Sequence, residues 1–207
     1  MRRRAAIFIS GRGTNMTALL AAMKDRAYPA EAALVFSNNP DAPGLQTAAD
    51  QGIATAHVDH RPFKGDRSAF EAEINKVLAA HSVDLICLAG FLRILTGPFV
   101  EGWKDRMVNI HPSLLPSFKG LHTHRRVLDA GVAFHGCTVH LVRAEMDAGP
   151  ILGQAMLTVA DEDEDTLGSR VLSLEHQLYP AALAAYLQGD ITLAGETLAP
   201  TPLSIRG

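Results

Sequence analysis

Short apolar runs alternate with helix-forming segments along the first half of the chain, and this alternation restricts the possible folds. The apolar runs cover residues 5–10, 32–36, 53–58 and 85–89. Helical composition fills 16–24 and 44–51, and the capping-box pattern Ser68-Ala69-Phe70-Glu71 predicts a further helix that runs to about residue 81. Strands separated by such helices form right-handed βαβ units. We therefore predict an α/β fold with a mostly parallel twisted sheet flanked by helices.

The second half of the chain departs from this alternation. A strand at 107–111 ends before Pro112, and a helix at 123–130 ends at Gly131. Strands at 137–142 and 151–159 follow each other closely, which predicts an antiparallel C-terminal portion. The acidic run 161–165 precedes a helix at 166–187 and is interpreted as its cap rather than as a metal site. We expect one domain over 1–190 and a loosely packed C-terminal tail, 191–207, that contains Pro200 and Pro202.

Composition excludes several classes of protein. The 207 residues carry a formal net charge of -3, which gives no broad attraction for nucleic acid. The apolar run after Arg4 stops at Ser10, and no segment approaches the roughly 20 apolar residues of a membrane span. Cys87 and Cys137 lie in apolar runs and are expected to be buried free thiols. These features predict a cytoplasmic protein that acts on a small ligand.

A polar pair stands at the end of the predicted strand at 107–111. Strand alternation directs Asn109 and His111 to one face, at the carboxyl end where open α/β sheets bind ligands. An Asn amide can stabilise an oxyanion, and a His can transfer a proton near neutral pH. The pair therefore indicates acyl-group chemistry, although the same residues could simply close a turn.

The turn after the first predicted strand has the sequence Gly11-Arg12-Gly13-Thr14-Asn15. Backbone amides at the start of a helix favour an anion, but the pattern lacks both the Gly-Lys-Ser/Thr of a P-loop and the third glycine of a dinucleotide site. A single phosphate on a sugar phosphate or mononucleotide fits best. A glycine turn without a ligand is the alternative.

Two further features bear on the kind of site. The apolar stretch 88–95 continues past its strand and is a candidate wall for a flat heterocycle, although continuation of the core explains it as well. Histidines crowd the middle of the chain at His111, His122, His124, His135 and His140. Their spacings match no zinc helix motif, so we predict that the site holds no metal.

These motifs occur together in one known family. They are Ser10 to Asn15, Phe36-Ser37-Asn38, Leu88 to Leu95, Asn109 to Pro116, His122-Thr123-His124 and Met146 to Pro150. In this order they closely resemble the phosphoribosylglycinamide formyltransferases of purine biosynthesis, over about residues 5–187. The resemblance implies a Rossmann-like formyltransferase fold, with 1–190 as the catalytic domain. Arg12 and Thr14 differ from the family's frequent Asn and Ser, but Thr14 keeps the hydroxyl.

The resemblance also implies an activity, which is transfer of a formyl group from 10-formyltetrahydrofolate, as cosubstrate, to the glycinamide amine of 5-phosphoribosylglycinamide. It implies a metal-independent, cytoplasmic enzyme, a monomer or homodimer, whose partners are these small molecules and neither nucleic acid nor a membrane. The implied catalytic residues are Asn109, His111 and Asp147. The implied ribotide-binding residues are Gly13, Thr14, Asn15 and Glu175. The implied folate-binding residues are Arg67, Leu92, Arg93, Ile94, Leu95, Asn109, Arg143, Ala144, Glu145, Met146 and Asp147.

The alternatives share much of this sequence pattern. Methionyl-tRNA formyltransferase and formyltetrahydrofolate hydrolase share the segment at 109–116, but they normally carry an extra domain for which 207 residues leave little room. A non-catalytic ribotide- or folate-binding module is the rival from another class. The presence of Asn109, His111 and Asp147 favours an enzyme over that module.

Overall fold

Parallel strands with intervening helices build the first of two units of the chain, Met1–Val108. Its elements are β1 (Arg3–Ile9), α1 (Thr14–Met23), β2 (Ala30–Ser37), α2 (Pro43–Ala49), β3 (Thr55–His57), α3 (Arg67–Ala80), β4 (Leu85–Leu88), α4 (Gly97–Gly102) and the start of β5 (Met107–His111). The strand order is β5-β4-β1-β2-β3. β1 pairs in parallel with β2 and β4, and β2 pairs in parallel with β3. The structure is a computed structural model that describes residues 2–194, 197–199 and 203–206.

The core of this unit is formed by strands that are covered on both faces. Ile7, Phe8 and Ile9 of β1 are all fully buried, as are Leu34 and Phe36 of β2. The rings of Phe8 and Phe36 lie 4.6 Å apart. A continuous apolar run without alternation is typical of a parallel strand between two layers of helices. Burial of such a run orders the strands, so their carboxyl ends form a fixed platform for loops.

The second unit, Asn109–Gly207, contains the antiparallel portion. After the end of β5 come α5 (Thr123–Ala130), β6 (Phe134–Leu141), β7 (Ile151–Thr158), α6 (Glu164–Gln188), β8 (Thr192–Ala194), β9 (Thr197–Ala199) and β10 (Leu203–Arg206). The strand order is β10-β7-β6-β5, with β6 and β7 antiparallel and β10 parallel to β7. α6 packs on β6 and β7 through apolar residues such as Leu167, Val171 and Leu178.

The predicted fold class is confirmed, as are the antiparallel pair, the helix at 123–130 and the cap of α6. Asp163 accepts a hydrogen bond from the Thr166 amide at 2.8 Å, and hydrogen bonding by the side chain and then the backbone of Thr166 holds the pKa of its carboxyl below the ordinary value. Cys87 and Cys137 are buried free thiols, as expected. Within the described part of the chain, none of the helices has the length and apolar character that a bilayer span requires.

The structure differs from the sequence-based expectation at the start of α3. The capping-box interpretation of Ser68 and Glu71 is wrong, because the N-cap lies two residues earlier, at Asp66, which accepts a hydrogen bond from the Ala69 amide at 3.0 Å. Glu71 is 4% exposed and bonds to Thr96 instead. An acidic residue in the first turns of a helix need not cap that helix when a tertiary partner is available.

The C-terminal tail also differs from the expectation of a loose segment. Leu203–Arg206 pair in parallel with residues 153–156 of β7, and β8 pairs with β9. The edge of β7 offers free backbone groups, and a segment that reaches it gains ladder hydrogen bonds. Pro200 and Pro202 lie outside the described residues. The division into a domain at 1–190 and a tail stays a prediction.

Candidate active site

The polar pair at the end of β5 reaches one cluster of side chains. Val108 and Ile110 are buried in the core, while the Asn109 amide nitrogen lies 3.1 Å from Nε2 of His140. Nδ1 of His111 lies 3.5 Å from Oδ2 of Asp147, and Nε2 of His140 lies 3.9 Å from the other carboxylate oxygen. The cluster therefore joins the three implied catalytic residues to a second histidine.

His111 stands between two acceptors. Its Nε2 lies 3.1 Å from the carbonyl oxygen of Phe118, and its Nδ1 faces the Asp147 carboxylate. A neutral imidazole has only one N–H, so only the protonated ring can donate on both sides. The His111 side chain is 7% exposed and that of Asp147 is 9% exposed, so water screens their attraction only weakly. A protonated His111 ring can therefore donate to both acceptors at the end of β5.

His140 was not among the predicted site residues, yet it orients the Asn109 amide. Its Nδ1 lies 2.9 Å from the carbonyl oxygen of Leu141, so Nδ1 carries the proton and Nε2 accepts from Asn109. Burial lowers the pKa of His140, which keeps the ring neutral. The Asn109 amide keeps a second N–H that can donate to a ligand. Strand alternation predicts that His140 and Thr138 share one face of their strand. No local sequence pattern indicates that Asn109 is the hydrogen-bond partner of His140.

The turn that carries Asp147 is held closely against β6. The Leu141 amide donates to the carbonyl of Pro150 at 2.9 Å, and a side chain on Gly149 would meet the Leu141 carbonyl oxygen at 1.8 Å. Asp147 has a φ of 52°, a left-handed conformation that Asp and Asn tolerate better than most residues. Oδ2 of Asp147 also accepts from the Gly120 amide at 2.9 Å. These contacts fix the carboxylate beside His111.

The predicted folate-binding residues of this unit adjoin the cluster in sequence. Arg143, Ala144, Glu145 and Met146 precede Asp147 in the same turn, with the side chain of Met146 exposed. Glu145 forms an ion pair with Lys119 at 3.1 Å. The predicted ribotide-binding residue Glu175 is buried on α6. Burial of the Cys137 thiol raises its pKa, and the nearby charge of Glu175 raises it further.

In the first unit, the predicted phosphate turn leads directly into α1. Gly13 is the N-cap residue with a φ of 70°, and no side chain caps the helix there. The first turn of a helix has backbone N–H groups without intrahelical partners, and they attract anions. Thr14 and Asn15 lie in that turn. The location of all three residues fits a site for a single phosphate.

A groove in the first unit contains two of the predicted folate-binding arginines. Arg67 at the start of α3 and Arg93 in the loop after β4 line the same groove, together with Phe63, Phe70 and Ile94. Leu92 and Ile94 are 72% and 65% exposed. Apolar side chains beside a pair of guanidinium groups suit a ligand that has a flat ring and a carboxylate.

The histidines in the middle of the chain separate into different contacts. His111 and His140 face Asp147, whereas Nδ1 of His124 lies 3.0 Å from Nε2 of His135. Burial lowers the pKa of His124, and it lowers that of His135 to about 4. The latter pair packs under α6, against Gly168.

A sequence profile described as formyl transferase matches residues 3–183 of the chain. The chain belongs to the formyl transferase family. The cluster around His111 and the groove described above lie within the matched residues, as does Glu175. Membership accounts for the agreement between the sequence motifs and the fold.

Relatives in this family include separate enzymes and parts of longer proteins. The trifunctional purine biosynthetic protein adenosine-3 of Gallus gallus is 47% identical over 91% of this chain, which covers only 19% of that protein. Phosphoribosylglycinamide formyltransferase of Escherichia coli is 39% identical, with 90% of this chain and 88% of that protein covered. The protein in the crystal structure of phosphoribosylglycinamide formyltransferase from Anaplasma phagocytophilum is 40% identical in sequence to this chain. The two structures superpose with a TM-score of 0.90 over 100% of this chain and 99% of that one.

Proposed function

We propose that the chain is a phosphoribosylglycinamide formyltransferase of purine biosynthesis. The proposed reaction moves the formyl group of 10-formyltetrahydrofolate to the glycinamide amine of 5-phosphoribosylglycinamide. The observation that carries the proposal is the buried cluster in which His111 faces Asp147 and Asn109 is oriented by His140. Similarity along nearly the whole length of the Escherichia coli enzyme supports the same acceptor.

The formyl carbon is the reacting centre. The neutral substrate amine attacks it and forms a tetrahedral intermediate whose former carbonyl oxygen becomes negative. The free N–H of Asn109 and an N–H of protonated His111 stabilise that oxyanion. For this purpose the Nε2–H of His111 turns from the Phe118 carbonyl to the oxyanion. The negative charge of Asp147 attracts the protonated ring, whose Nδ1 lies 3.5 Å from its carboxylate.

Proton transfer completes the exchange. The attacking nitrogen loses one proton, and N10 of the folate gains one as its bond to the formyl carbon breaks. In the proposed mechanism His111 and Asp147, which lie 3.5 Å apart, carry this proton between the two nitrogens, either directly or through a bound water. The products are formylated ribotide and tetrahydrofolate, and no atom is left over.

Substrate binding is proposed for residues within each unit. In the first unit, Gly13, Thr14 and Asn15 bind the ribose phosphate through the first-turn amides of α1. Arg67 and Arg93 attract the carboxylates of the folate tail, while Leu92, Ile94 and Leu95 contact its ring. In the second unit, the Glu175 carboxylate binds the glycinamide amine, and the segment Arg143 to Asp147 contacts folate.

The proposed chemistry needs no metal and involves neither nucleic acid nor a membrane. Water-soluble substrates and buried cysteine thiols support a cytoplasmic location for the proposed activity. The chain acts as a monomer or a homodimer. We expect treatment with a chelator to leave the rate of formyl transfer unchanged.

A three-way assay tests the proposal. The protein is incubated with 10-formyltetrahydrofolate alone, with added 5-phosphoribosylglycinamide, and with added initiator methionyl-tRNA. We expect tetrahydrofolate to form only with the ribotide. Release with folate alone would indicate a hydrolase, formylation of the tRNA would indicate the sibling transferase, and no turnover in any vessel would indicate a binding module.

A further inference from the structure

A buried carboxylate, Glu71, contacts the end of the loop that follows β4. Glu71 lies in the second turn of α3 and is 4% exposed. One of its carboxylate oxygens accepts from the backbone amide of Thr96 at 2.6 Å, and the other accepts from the Thr96 hydroxyl. Burial of a carboxylate is unfavourable unless hydrogen bonds compensate for the lost water, so this contact is a specific one.

The opposite end of the same loop is held by Ser10. The Ser10 amide donates to the carbonyl of Gly90 at 3.1 Å, and the Ser10 hydroxyl oxygen accepts from the Leu92 amide at 2.8 Å. The Ser10 hydroxyl in turn donates to Oδ1 of Asn38 at 2.6 Å. Side chains from other elements therefore fix the loop at Leu92 and again at Thr96.

Between these anchors the loop receives little support from its own side chains. Leu92 and Ile94 are 72% and 65% exposed, and Arg93 is exposed beside them. A loop with few buried apolar contacts takes its conformation from its hydrogen bonds. Arg93 and Ile94 form part of the groove wall. Their position therefore depends on how the two ends of the loop are held, and above all on the two hydrogen bonds between Glu71 and Thr96.

We propose that Glu71 is a positioning residue for the folate site, which holds the loop at 92–95 in its binding conformation through Thr96. This inference rests on the proposed function. Thr96 is also the N-cap residue of α4, and its hydroxyl oxygen lies 3.4 Å from the Phe99 amide nitrogen. Glu71 therefore orients the residue at which the loop ends and the helix begins. Glu71 contacts no substrate in this proposal and acts only through Thr96.

The test compares Glu71→Leu with Glu71→Gln. Leu removes both acceptors at similar volume, whereas the Gln amide can still accept from the Thr96 amide and donate to its hydroxyl. We expect Glu71→Leu to raise KM for 10-formyltetrahydrofolate at least about tenfold, because a loop misplaced by a fraction of an ångström loses its contacts. KM for the ribotide and kcat should change by less than about twofold, and Glu71→Gln should restore most of the affinity.

Glu73→Gln is the matched control, because Glu73 lies on the same helix, exposed, in an ion pair with Lys76. Thr96→Val is a second test variant, which keeps Glu71 but removes the hydroxyl that donates to it. If Glu71→Leu does not fold, the folate KM of Thr96→Val tests the inference instead. We expect it to raise the same KM by at least about threefold.

Several results would overturn the inference. One is an unchanged folate KM in folded Glu71→Leu, and another is an equal loss for both substrates, which would indicate general loosening. If Glu71→Leu does not fold, an unchanged folate KM in Thr96→Val has the same meaning. A wild-type protein inactive with the ribotide would instead overturn the proposed function and this inference with it.

Discussion

Asp147 places one negative charge between two imidazole rings, 3.5 Å from Nδ1 of His111 and 3.9 Å from Nε2 of His140. Asn adopts the left-handed backbone of this position as readily as Asp, so Asp147→Asn preserves the turn. We predict at least about a tenfold loss of turnover, because the carboxylate charge that attracts the protonated His111 ring disappears.

Turnover at saturating substrate checks this prediction, with thermal melting as the control for folding. A folded variant that turns over at the wild-type rate would remove Asp147 from the mechanism while leaving the substrate assignment in place.

The two residues at the end of β5 should be more sensitive. We predict that His111→Ala and Asn109→Ala each lower kcat by roughly a hundredfold or more, which is typical for loss of a general acid–base group or an oxyanion donor. Equilibrium binding of each substrate should change less. His57→Ala, at an exposed position of β3, is the control. Near-normal kcat in either variant would mean that the corresponding residue does not stabilise the transition state.

Sequence reasoning identified the residues of the cluster that belong to recognisable motifs but not those that join it through the fold. Asn109 and His111 are two residues apart on one strand, so strand alternation alone predicts that they share a face. His140 reaches Asn109 across 31 residues of sequence, and this contact depends on the pairing of β5 with β6. No local pattern carries that information.

At the scale of elements, the turn into α1 makes a prediction about phosphate. Gly13 has a φ of 70°, and a Cβ there would lie 3.2–3.3 Å from the side chains of Met16 and Ile9, so Gly13→Ala should shift the first-turn amides. We predict at least about a tenfold weaker affinity for the ribotide and little change for folate. Gly11→Ala is the matched control, because a Cβ there meets nothing within 4 Å.

Isothermal titration of each variant with each substrate measures the effect. Equal losses for ribotide and folate in folded Gly13→Ala would contradict the phosphate assignment.

The elements that the sequence patterns did not predict share a physical cause. α4 has the composition Gly-Pro-Phe-Val-Glu-Gly, which is typical of a loop, and its N-cap Thr96 is held by the distant Glu71. β10 exists because β7 leaves an edge to pair with. The long helices and apolar strands were predictable because their own periodicity and burial determine them, whereas these short elements depend on tertiary partners.

At the scale of the whole molecule, the contact between His124 and His135 predicts how stability depends on pH. The pKa of His135 is lowered from 6.5 to about 4, chiefly by burial, so between these values the unfolded chain binds more protons than the folded one. Stability should therefore be highest above about pH 6.5 and fall as the pH decreases towards about 4. The lowered pKa of His124 and of His140 acts in the same direction.

Thermal unfolding at about pH 7.5 and about pH 5 should show a decrease in Tm of at least about 3 °C at the lower pH. His135→Gln should reduce that decrease, and His57→Gln should not. A Tm that is equal at both pH values, or higher at the acidic one, would show that these rings do not resist protonation in the folded state.

The most direct test of the account follows the formyl carbon itself. The protein is supplied with 10-formyltetrahydrofolate labelled at that carbon, together with 5-phosphoribosylglycinamide, and the label is located by mass spectrometry. We predict one labelled formyl group on the ribotide amine for each tetrahydrofolate released, and no labelled formate. The His111→Ala variant should lose this transfer. Label recovered mainly as formate, or a ribotide left unlabelled while tetrahydrofolate accumulates, would contradict it.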